Sequence, residues 1–148
     1  MQRQRYIILD GPSLNRLGRR EPAIYGKTSS QEMLQEVQQR FPEVEIEYYQ
    51  SNHEGTLIDY LQRFDDEGVA GIVLNAGAYT HTSIALADAI RCLSVPIIEV
   101  HISNTAARED FRHTSYISSV VRGTITGFGM RSYQLAIQAF FEEYQAQA

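Results

Sequence analysis

The residues that could do chemistry cluster where apolar runs of the sequence end. The run YIILD ends at Asp10, GIVLN ends at Asn75, and VPIIEVH ends at His101. A further alternating run is followed by the polar string Ser51, Asn52, His53 and Glu54. Carboxylate, amide and imidazole groups suit acid–base catalysis and the binding of a polar ligand. The same residue types are also common as turn formers and helix caps, so both interpretations stay open on pattern alone.

Two loops add positive charge next to these residues. The loop GPSLNRLGRREPAIYGKT has no hydrophobic period, and SNTAAREDFRHTSY follows the run that ends at His101. Long loops without periodicity are more often functional than accidental. Five arginines lie in the two loops, although the chain carries a net charge of −5. Because arginine binds carboxylates and phosphates bidentately, the pattern predicts a small anionic ligand, with surface ion pairing as the alternative. The arginines are Arg16, Arg19, Arg20, Arg108 and Arg112.

A candidate base and a candidate acid stand out among these groups. Tyr25 shares its loop with Arg19 and Arg20, and adjacent positive charge lowers the pKa of a phenol from about 10. Glu99 lies two residues before His101, on the same face of a strand, where a carboxylate supports the imidazolium form. Each residue could instead have a structural role, as a packed tyrosine or a turn cap. Together, a base and an acid suit proton abstraction beside a carbonyl, with departure of water.

Several other function classes are not supported by the sequence. It contains no GxxxxGK[ST] or GxSxG motif, and its histidines lack the spacing of metal ligands. Cys92 lies in the apolar stretch of a predicted helix, so we expect it to pack in the core. A single cysteine favours a reducing, cytoplasmic compartment. The net negative charge argues against nucleic-acid and membrane-surface binding, and no apolar run reaches the roughly 18–20 residues that span a bilayer.

The elements that must position these groups alternate between strand and helix patterns. A capping box at Ser29 and Glu32 predicts a helix that Pro42 stops, and further helical stripes follow three of the strands. This alternation predicts one domain over residues 1–148, of the α/β class, with a doubly wound parallel sheet. In such folds ligands bind beyond the carboxyl ends of the strands. The predicted strands are Tyr6–Asp10, Val44–Tyr48, Gly71–Asn75, Val95–His101 and Gly123–Phe128.

Five motifs, in order along the chain, carry a resemblance to a known family. They are GPSLNRLGRREPAIYG, QSNHEG, LNAGAYTHTS, PIIEVHISN and AREDFRHTSY. Over nearly its whole length the chain resembles type II 3-dehydroquinate dehydratases. The resemblance implies a flavodoxin-like fold, with a five-stranded parallel sheet and helices on both faces. It also implies reversible dehydration of 3-dehydroquinate, a small anionic substrate, without a cofactor or metal, in trimers that assemble into a dodecamer.

The resemblance also assigns catalytic roles to individual residues. Tyr25 is expected to remove the proton beside the ketone, and Arg20 to keep that phenol ionised and to stabilise enolate charge. His101 is expected to donate a proton to the departing hydroxyl while Glu99 orients it. A second group is expected to hold the substrate's carboxylate and hydroxyls, namely Asn75, His81, Ile102, Ser103 and Arg112. Asp88 matches a residue that the family supplies across the trimer interface.

Two positions depart from the pattern of the family, which usually reads NGPNLN where this chain reads DGPSLN. Asp10 replaces an amide with a carboxylate, near the base of the predicted lid loop. Ser13 replaces an asparagine that helps to place water and the carbonyl oxygen, and Asn15 is expected to support the site beside it. Loss of one such donor commonly costs roughly 10²–10³ in rate. The departures keep two alternatives open: a related hydroxy-keto acid as substrate, or a non-catalytic flavodoxin-like binding protein.

Overall fold

The computed structural model describes residues 3–19 and 21–147, and over these residues the chain forms one parallel sheet. All strand pairs are parallel and the spatial order is β2-β1-β3-β4-β5, the flavodoxin-like order that the resemblance implied. In register, Asp10 lies opposite Asn75 at the ends of β1 and β3, and Glu99 lies opposite Thr124. The strands are β1 Arg5–Asp10, β2 Glu45–Gln50, β3 Gly71–Asn75, β4 Ile97–His101 and β5 Gly123–Thr126.

Helices cover both faces of the sheet, as predicted. The predicted capping box is confirmed, because the Ser29 hydroxyl accepts a hydrogen bond from the Glu32 backbone N–H at 3.2 Å. Side chains of β1 alternate between the faces: Tyr6 and Ile8 pack with α2 and α5, whereas Ile7 and Leu9 pack with α3 and α4. Burial of each such side chain contributes roughly 1.5–3 kcal/mol. The helices are α1 Pro22–Tyr25, α2 Ser30–Arg40, α3 Glu54–Asp66, α4 Ile84–Arg91 and α5 Arg131–Gln147.

Strand β1 begins at Arg5 rather than Tyr6, and β2 covers Glu45–Gln50 rather than Val44–Tyr48. Two further strand ends differ from the prediction for local reasons. Strand β4 begins at Ile97 rather than Val95, because the backbone N–H groups of Ser94 and Val95 donate to the Asp65 carboxylate at 3.0 and 2.8 Å. Strand β5 ends at Thr126 rather than Phe128, because Gly127 has a φ of 95°, which breaks the extended conformation. Phe128 is consequently exposed.

Two further expectations need correction. The loop after β1 is not structureless: it contains a 3₁₀ turn at Leu14–Arg16 and the single-turn helix α1. Cys92 is exposed rather than packed in the core. It follows the last residue of α4, and its position two residues after the buried Ile90 points it away from the face that packs on the sheet. Among the described residues, no helix is long and apolar enough to cross a bilayer.

Gly11 joins β1 to the first loop where two backbones come close together. Its N–H donates to the Asn75 carbonyl at 2.7 Å, and a Cβ at this position would lie 2.5 Å from the Ala76 carbonyl oxygen. Contacts this short force the backbone to shift. A side chain at position 11 would therefore push apart the ends of β1 and β3.

We expect Gly11→Ala to lower the free energy of unfolding by about 1–3 kcal/mol, the usual cost of overpacking. Urea denaturation checks this value. Gly55→Ala is the matched control, because a Cβ at position 55 meets no atom within 4 Å. Equal stability of Gly11→Ala and the parent would show that the two strand ends tolerate separation.

Candidate active site

A pocket lies at the carboxyl edge of the sheet, beyond β3 and β4. Seven of the residues predicted for the site line it: Tyr25, Asn75, His81, His101, Ile102, Ser103 and Arg112. Glu99 lies behind His101, in contact with it. Arg108, one of the five arginines from which an anionic ligand was predicted, also lines the pocket. Sequence reasoning did not assign the remaining lining residues, which are Leu14, Gly77, Ala78 and Thr105.

Three of the predicted residues that the structure describes are not brought to this pocket. Asp88 is exposed on α4 and forms an ion pair of 2.7 Å with Arg91. Ser13 and Asn15 are exposed in the first loop and are not among the residues that line the pocket. Arg20 lies outside the described residues.

Tyr25, the last residue of α1, is buried and accepts a hydrogen bond from Arg108, which lies in the stretch after β4. Arg108 Nη1 donates to the Tyr25 hydroxyl at 2.8 Å and to Ser103 Oγ at 3.2 Å, and the guanidinium lies 5.4 Å from the centre of the tyrosine ring. Arg19, a predicted neighbour, is exposed. Since a guanidinium keeps its charge at any pH a protein tolerates, a phenolate at Tyr25 would form directly beside a fixed positive charge.

Arg108 also has a hydrogen-bond donor that is not satisfied by the described residues. Its Nε is buried and has no hydrogen-bond acceptor among the described residues, and the nearest carboxylate oxygen, of Glu109, is 3.6 Å away. Arg112, half-buried at the rim, donates to the other Glu109 oxygen at 3.1 Å. The ion pairing left open by the sequence therefore occurs, yet both guanidinium groups also face the pocket. An anionic ligand would meet two positive charges there.

His101 is backed by a carboxylate that is itself fully hydrogen-bonded. The imidazole contacts Glu99 at 2.5 Å, as the alternation of β4 predicted. Glu99 also accepts from Ser118 at 2.5 Å, Ser115 at 3.1 Å and Thr124 at 3.3 Å. Burial raises the pKa of Glu99, but the bonds from His101 and Ser118 outweigh burial, so its pKa lies below the usual value. Glu99 is therefore an anion that holds the ring of His101 in place.

His81 faces the same pocket in a different state. Its Nδ1 lies 2.7 Å from the Thr114 carbonyl, so this nitrogen carries the hydrogen. Burial lowers the pKa of His81, and the nearby His101 and Arg112 lower it further. The His81 and His101 rings are 6.1 Å apart. His81 is therefore a neutral imidazole near pH 7, which leaves its Nε2 as a hydrogen-bond acceptor.

Asn75 is held from behind by a buried polar chain that the sequence did not reveal. Its Nδ2 donates to the Tyr133 hydroxyl at 2.9 Å, and Tyr133 donates to Asp10 Oδ1 at 2.7 Å. Tyr48 donates to Asp10 Oδ2, also at 2.7 Å. Asp10 is completely buried at the end of β1, whereas the sequence placed it near the base of a lid. Burial raises the pKa of Asp10 to about 7, although the two phenol hydrogen bonds oppose the shift.

Ser13 has a left-handed backbone, with a φ of 69°. Asparagine and aspartate adopt this conformation more readily than serine does. The Ser13 N–H donates to the Asn52 side chain at 3.0 Å, which ties the first loop to the loop after β2. Serine in place of the asparagine of the family pattern therefore gives a less favourable backbone conformation at position 13, as well as replacing a side-chain amide donor.

Metal-binding side chains do not cluster in the part of the chain that the structure describes. No cluster of three or more His, Cys, Asp or Glu side chains within it could hold a metal ion. The polar groups of the pocket are instead arginine, histidine, asparagine, serine and tyrosine side chains, which bind organic anions and hydroxyls.

Comparison with known proteins gives one consistent result. The sequence profile of the family described as dehydroquinase class II matches residues 4–141. A 3-dehydroquinate dehydratase of Exiguobacterium is 54% identical over an alignment of 143 residues that covers 95% of this chain and 97% of that protein. One of Bacillus licheniformis is 51% identical, over 90% of this chain and 93% of its own length. The crystal structure of the type II dehydroquinase of Butyrivibrio crossotus superposes with a TM-score of 0.90 at 42% identity, covering 93% of this chain and 97% of that one.

The buried Asp10 predicts a distinctive pH dependence of stability. The pKa of Asp10 is about 7 in the folded protein and 3.8 for an ordinary aspartate, so the folded state holds more protons between these values. The contribution of Asp10 to the free energy of unfolding therefore falls as the pH rises from about 4 to 7, with a slope that approaches about 1.4 kcal/mol per pH unit. Urea denaturation of the parent and of Asp10→Asn across this range measures the difference between their free energies of unfolding. This difference should change with pH up to about 7 and stay constant above it.

Asp59→Asn, which removes an exposed carboxylate of α3, should keep the pH dependence of the parent. Parallel stability curves for the parent and Asp10→Asn would mean that Asp10 ionises as easily in the folded chain as in the unfolded one.

Proposed function

The chain belongs to the class II dehydroquinase family, and from that premise we propose that it catalyses the reversible elimination of water from 3-dehydroquinate to give 3-dehydroshikimate. Its relatives of about 50% identity carry the name 3-dehydroquinate dehydratase, a hydro-lyase. The observation that carries the proposal is the pairing of Tyr25 with Arg108 in the pocket that also holds His101, backed by Glu99.

Tyr25 is the proposed base. As a phenolate it takes the proton from the carbon beside the ketone, and the electrons of that C–H bond move into an enolate. Arg108 supports this step because its guanidinium donates to the phenol oxygen at 2.8 Å. The resemblance adds Arg20, which would strengthen the positive field at Tyr25 and at the enolate oxygen.

His101 is the proposed acid. The nitrogen that contacts Glu99 is occupied, so the opposite ring nitrogen is the one that donates a proton to the departing hydroxyl. The enolate electrons then form the new C=C bond as the C–O bond breaks and water leaves. Tyr25 accepts one proton and His101 donates one, so the elimination of water needs no net change in charge or oxidation state. The proposed reaction accordingly needs no cofactor.

The remaining pocket residues are proposed to hold the substrate. Arg112 supplies a cation for its carboxylate, and the neutral His81 supplies an acceptor for a hydroxyl. Asn75, Ile102 and Ser103 present amide, backbone and hydroxyl groups from the ends of β3 and β4. Ser13 and Asn15 belong to the loop that would cover the bound substrate.

We also propose that the enzyme works as a homo-oligomer in the cytoplasm, built from trimers that form a dodecamer. Asp88, which is exposed and outside the pocket of its own chain, would act in the pocket of a neighbour. Ile84, one helical turn before Asp88, is 62% exposed although it is a large aliphatic residue. An apolar side chain beside Asp88 suits a face of α4 that another subunit covers.

The proposed activity predicts that purified protein incubated with 3-dehydroquinate produces the ultraviolet absorbance of a conjugated enone. Tyr25→Phe and His101→Ala should each lower kcat by about 10²–10⁴, the usual contribution of a general base or acid. Tyr60→Phe, which removes a hydroxyl from α3 outside the pocket, should turn over at the parental rate. Circular dichroism shows whether each variant is folded.

A folded parent protein that gives no enone at high concentration would leave the related hydroxy-keto acid or the non-catalytic function. Near-parental turnover by Tyr25→Phe would remove Tyr25 as the base.

The two pocket arginines should fail in different ways. Arg108→Ala loses the cation beside the proposed phenolate, so we expect kcat to fall by roughly 10²–10³ with a small change in KM. Arg112→Ala loses a ligand of the substrate carboxylate, so we expect KM to rise about 10- to 100-fold with a smaller change in kcat. Steady-state kinetics of both variants checks the contrast. Arg122→Ala, at the opposite edge of the sheet, is the control.

A further inference from the structure

We propose that Asp10 is a positioning residue of the active site: its carboxylate directs the hydroxyl of Tyr133, and Tyr133 in turn fixes the side-chain amide of Asn75 at the pocket. This inference rests on the function proposed above. The three residues come from β1, α5 and β3, and their contacts measure 2.7 and 2.9 Å. All three are at least 97% buried, so water cannot replace either bond.

The direction of each hydrogen bond follows from counting donors. The Gly77 backbone N–H donates to Asn75 Oδ1 at 3.2 Å, and a backbone N–H can only donate. Asn75 therefore turns its Nδ2 toward Tyr133, whose oxygen accepts. The single hydrogen of the Tyr133 hydroxyl is then directed to Asp10 Oδ1. A strong acceptor at position 10 thus keeps the phenol oxygen available to Asn75.

The amide of Asn75 has a second N–H, and Asn75 lines the pocket. With one N–H bound by Tyr133 and the oxygen bound by Gly77, the amide cannot rotate without losing both contacts. The remaining N–H then has a fixed direction from which to meet a substrate oxygen. Asp10 is not among the residues that line the pocket, and the hydrogen bonds of its carboxylate lead to Asn75 through Tyr133.

The other oxygen of Asp10 has a separate partner. Tyr48 donates to Asp10 Oδ2 at 2.7 Å and lies 3.1 Å from Ser30 Oγ, which in turn lies 3.3 Å from the Leu14 carbonyl. A proton on Oδ2 can therefore be donated to Tyr48, while Tyr48 donates to Ser30 and Ser30 to Leu14. Every group keeps a partner in both states. The bond from Tyr133 persists but loses its charge, and a charge-assisted hydrogen bond is roughly twice as strong as a neutral one.

The groups that face the Asp10 carboxylate from neighbouring elements are the two phenols, Tyr48 from β2 and Tyr133 from α5. Burial raises the pKa of both, as does the proximity of Asp10, so neither ionises near neutral pH. Asn75, from β3, does not titrate. A change in protonation among these hydrogen-bonded residues between pH 6 and 8 is therefore a change at Asp10.

The test compares the parent with Asp10→Asn, Tyr133→Phe and Tyr48→Phe. Asn at position 10 has the shape of the protonated acid: its oxygen can accept from Tyr133 and its nitrogen can donate to Tyr48. At pH 8.5 we expect Asp10→Asn to raise KM for 3-dehydroquinate about three- to tenfold, with kcat within about twofold of the parent. Tyr133→Phe should raise KM at least as much. Tyr48→Phe, which removes the other phenol from the same carboxylate, should keep the parental KM.

The pH profile adds a readout that a purely structural residue would not change. As the pH falls from 8.5 to 6, the KM of the parent should rise toward that of Asp10→Asn, so the ratio of the two KM values should approach 1. His81 and His101 are present in both proteins, so their own titration cancels in this ratio. A ratio that stays constant with pH, or an equal rise in KM for Tyr48→Phe and Asp10→Asn, would overturn the proposal.

A second measurement separates this inference from the proposed function. In ¹⁵N-labelled protein, the side-chain amide resonance of Asn75, assigned by its loss in Asn75→Asp, should shift as the pH passes through about 7. The shift should be missing in Asp10→Asn. If the parent does not turn over 3-dehydroquinate but the resonance shifts, the positioning chain stands and the proposed function fails. If the resonance is independent of pH, the positioning chain fails whatever the activity.

Discussion

A buried carboxylate has to be hydrogen-bonded, and this requirement organises the carboxyl edge of the sheet around two residues. Glu99, at the end of β4, accepts from His101, Ser115, Ser118 and Thr124, and the four donors keep it ionised. Asp10, at the end of β1, accepts from two phenols, and burial raises its pKa although these hydrogen bonds oppose the shift. The two carboxylates lie on opposite faces of the same sheet and stand behind two different pocket residues, His101 and Asn75.

Local pattern was enough to predict the parts of the site that depend on strand and helix periods. The apolar run GIVLN became β3 with the predicted ends, and the two-residue spacing of Glu99 and His101 brought them into contact. Contacts between distant segments were not predictable in this way. Arg108 is 83 residues from Tyr25, and Tyr133 is 123 residues from Asp10. The hydrophobic period of a sequence contains no information about which loop side chains meet. Arg108 was therefore not predicted as a partner of Tyr25, and Tyr133 was interpreted as a packed helix residue.

The two departures from the family pattern have different physical weight. Ser13 occupies a left-handed conformation that asparagine adopts more easily, and it lies on an exposed loop where strain is easily relieved. Asp10 is fully buried, and its partners Tyr48 and Tyr133 come from two further elements. A charge at such a position affects every group that bonds to it. We therefore expect the change at position 10, which is buried, to affect the pocket more than the change at the exposed position 13.

The contact between Tyr25 and Arg108 joins two segments: the single turn α1 in the first loop and the irregular stretch after β4. An outward displacement of α1 would separate the Tyr25 hydroxyl from the Arg108 guanidinium. In the proposed mechanism, proton abstraction therefore depends on the first loop and the stretch after β4 being held together.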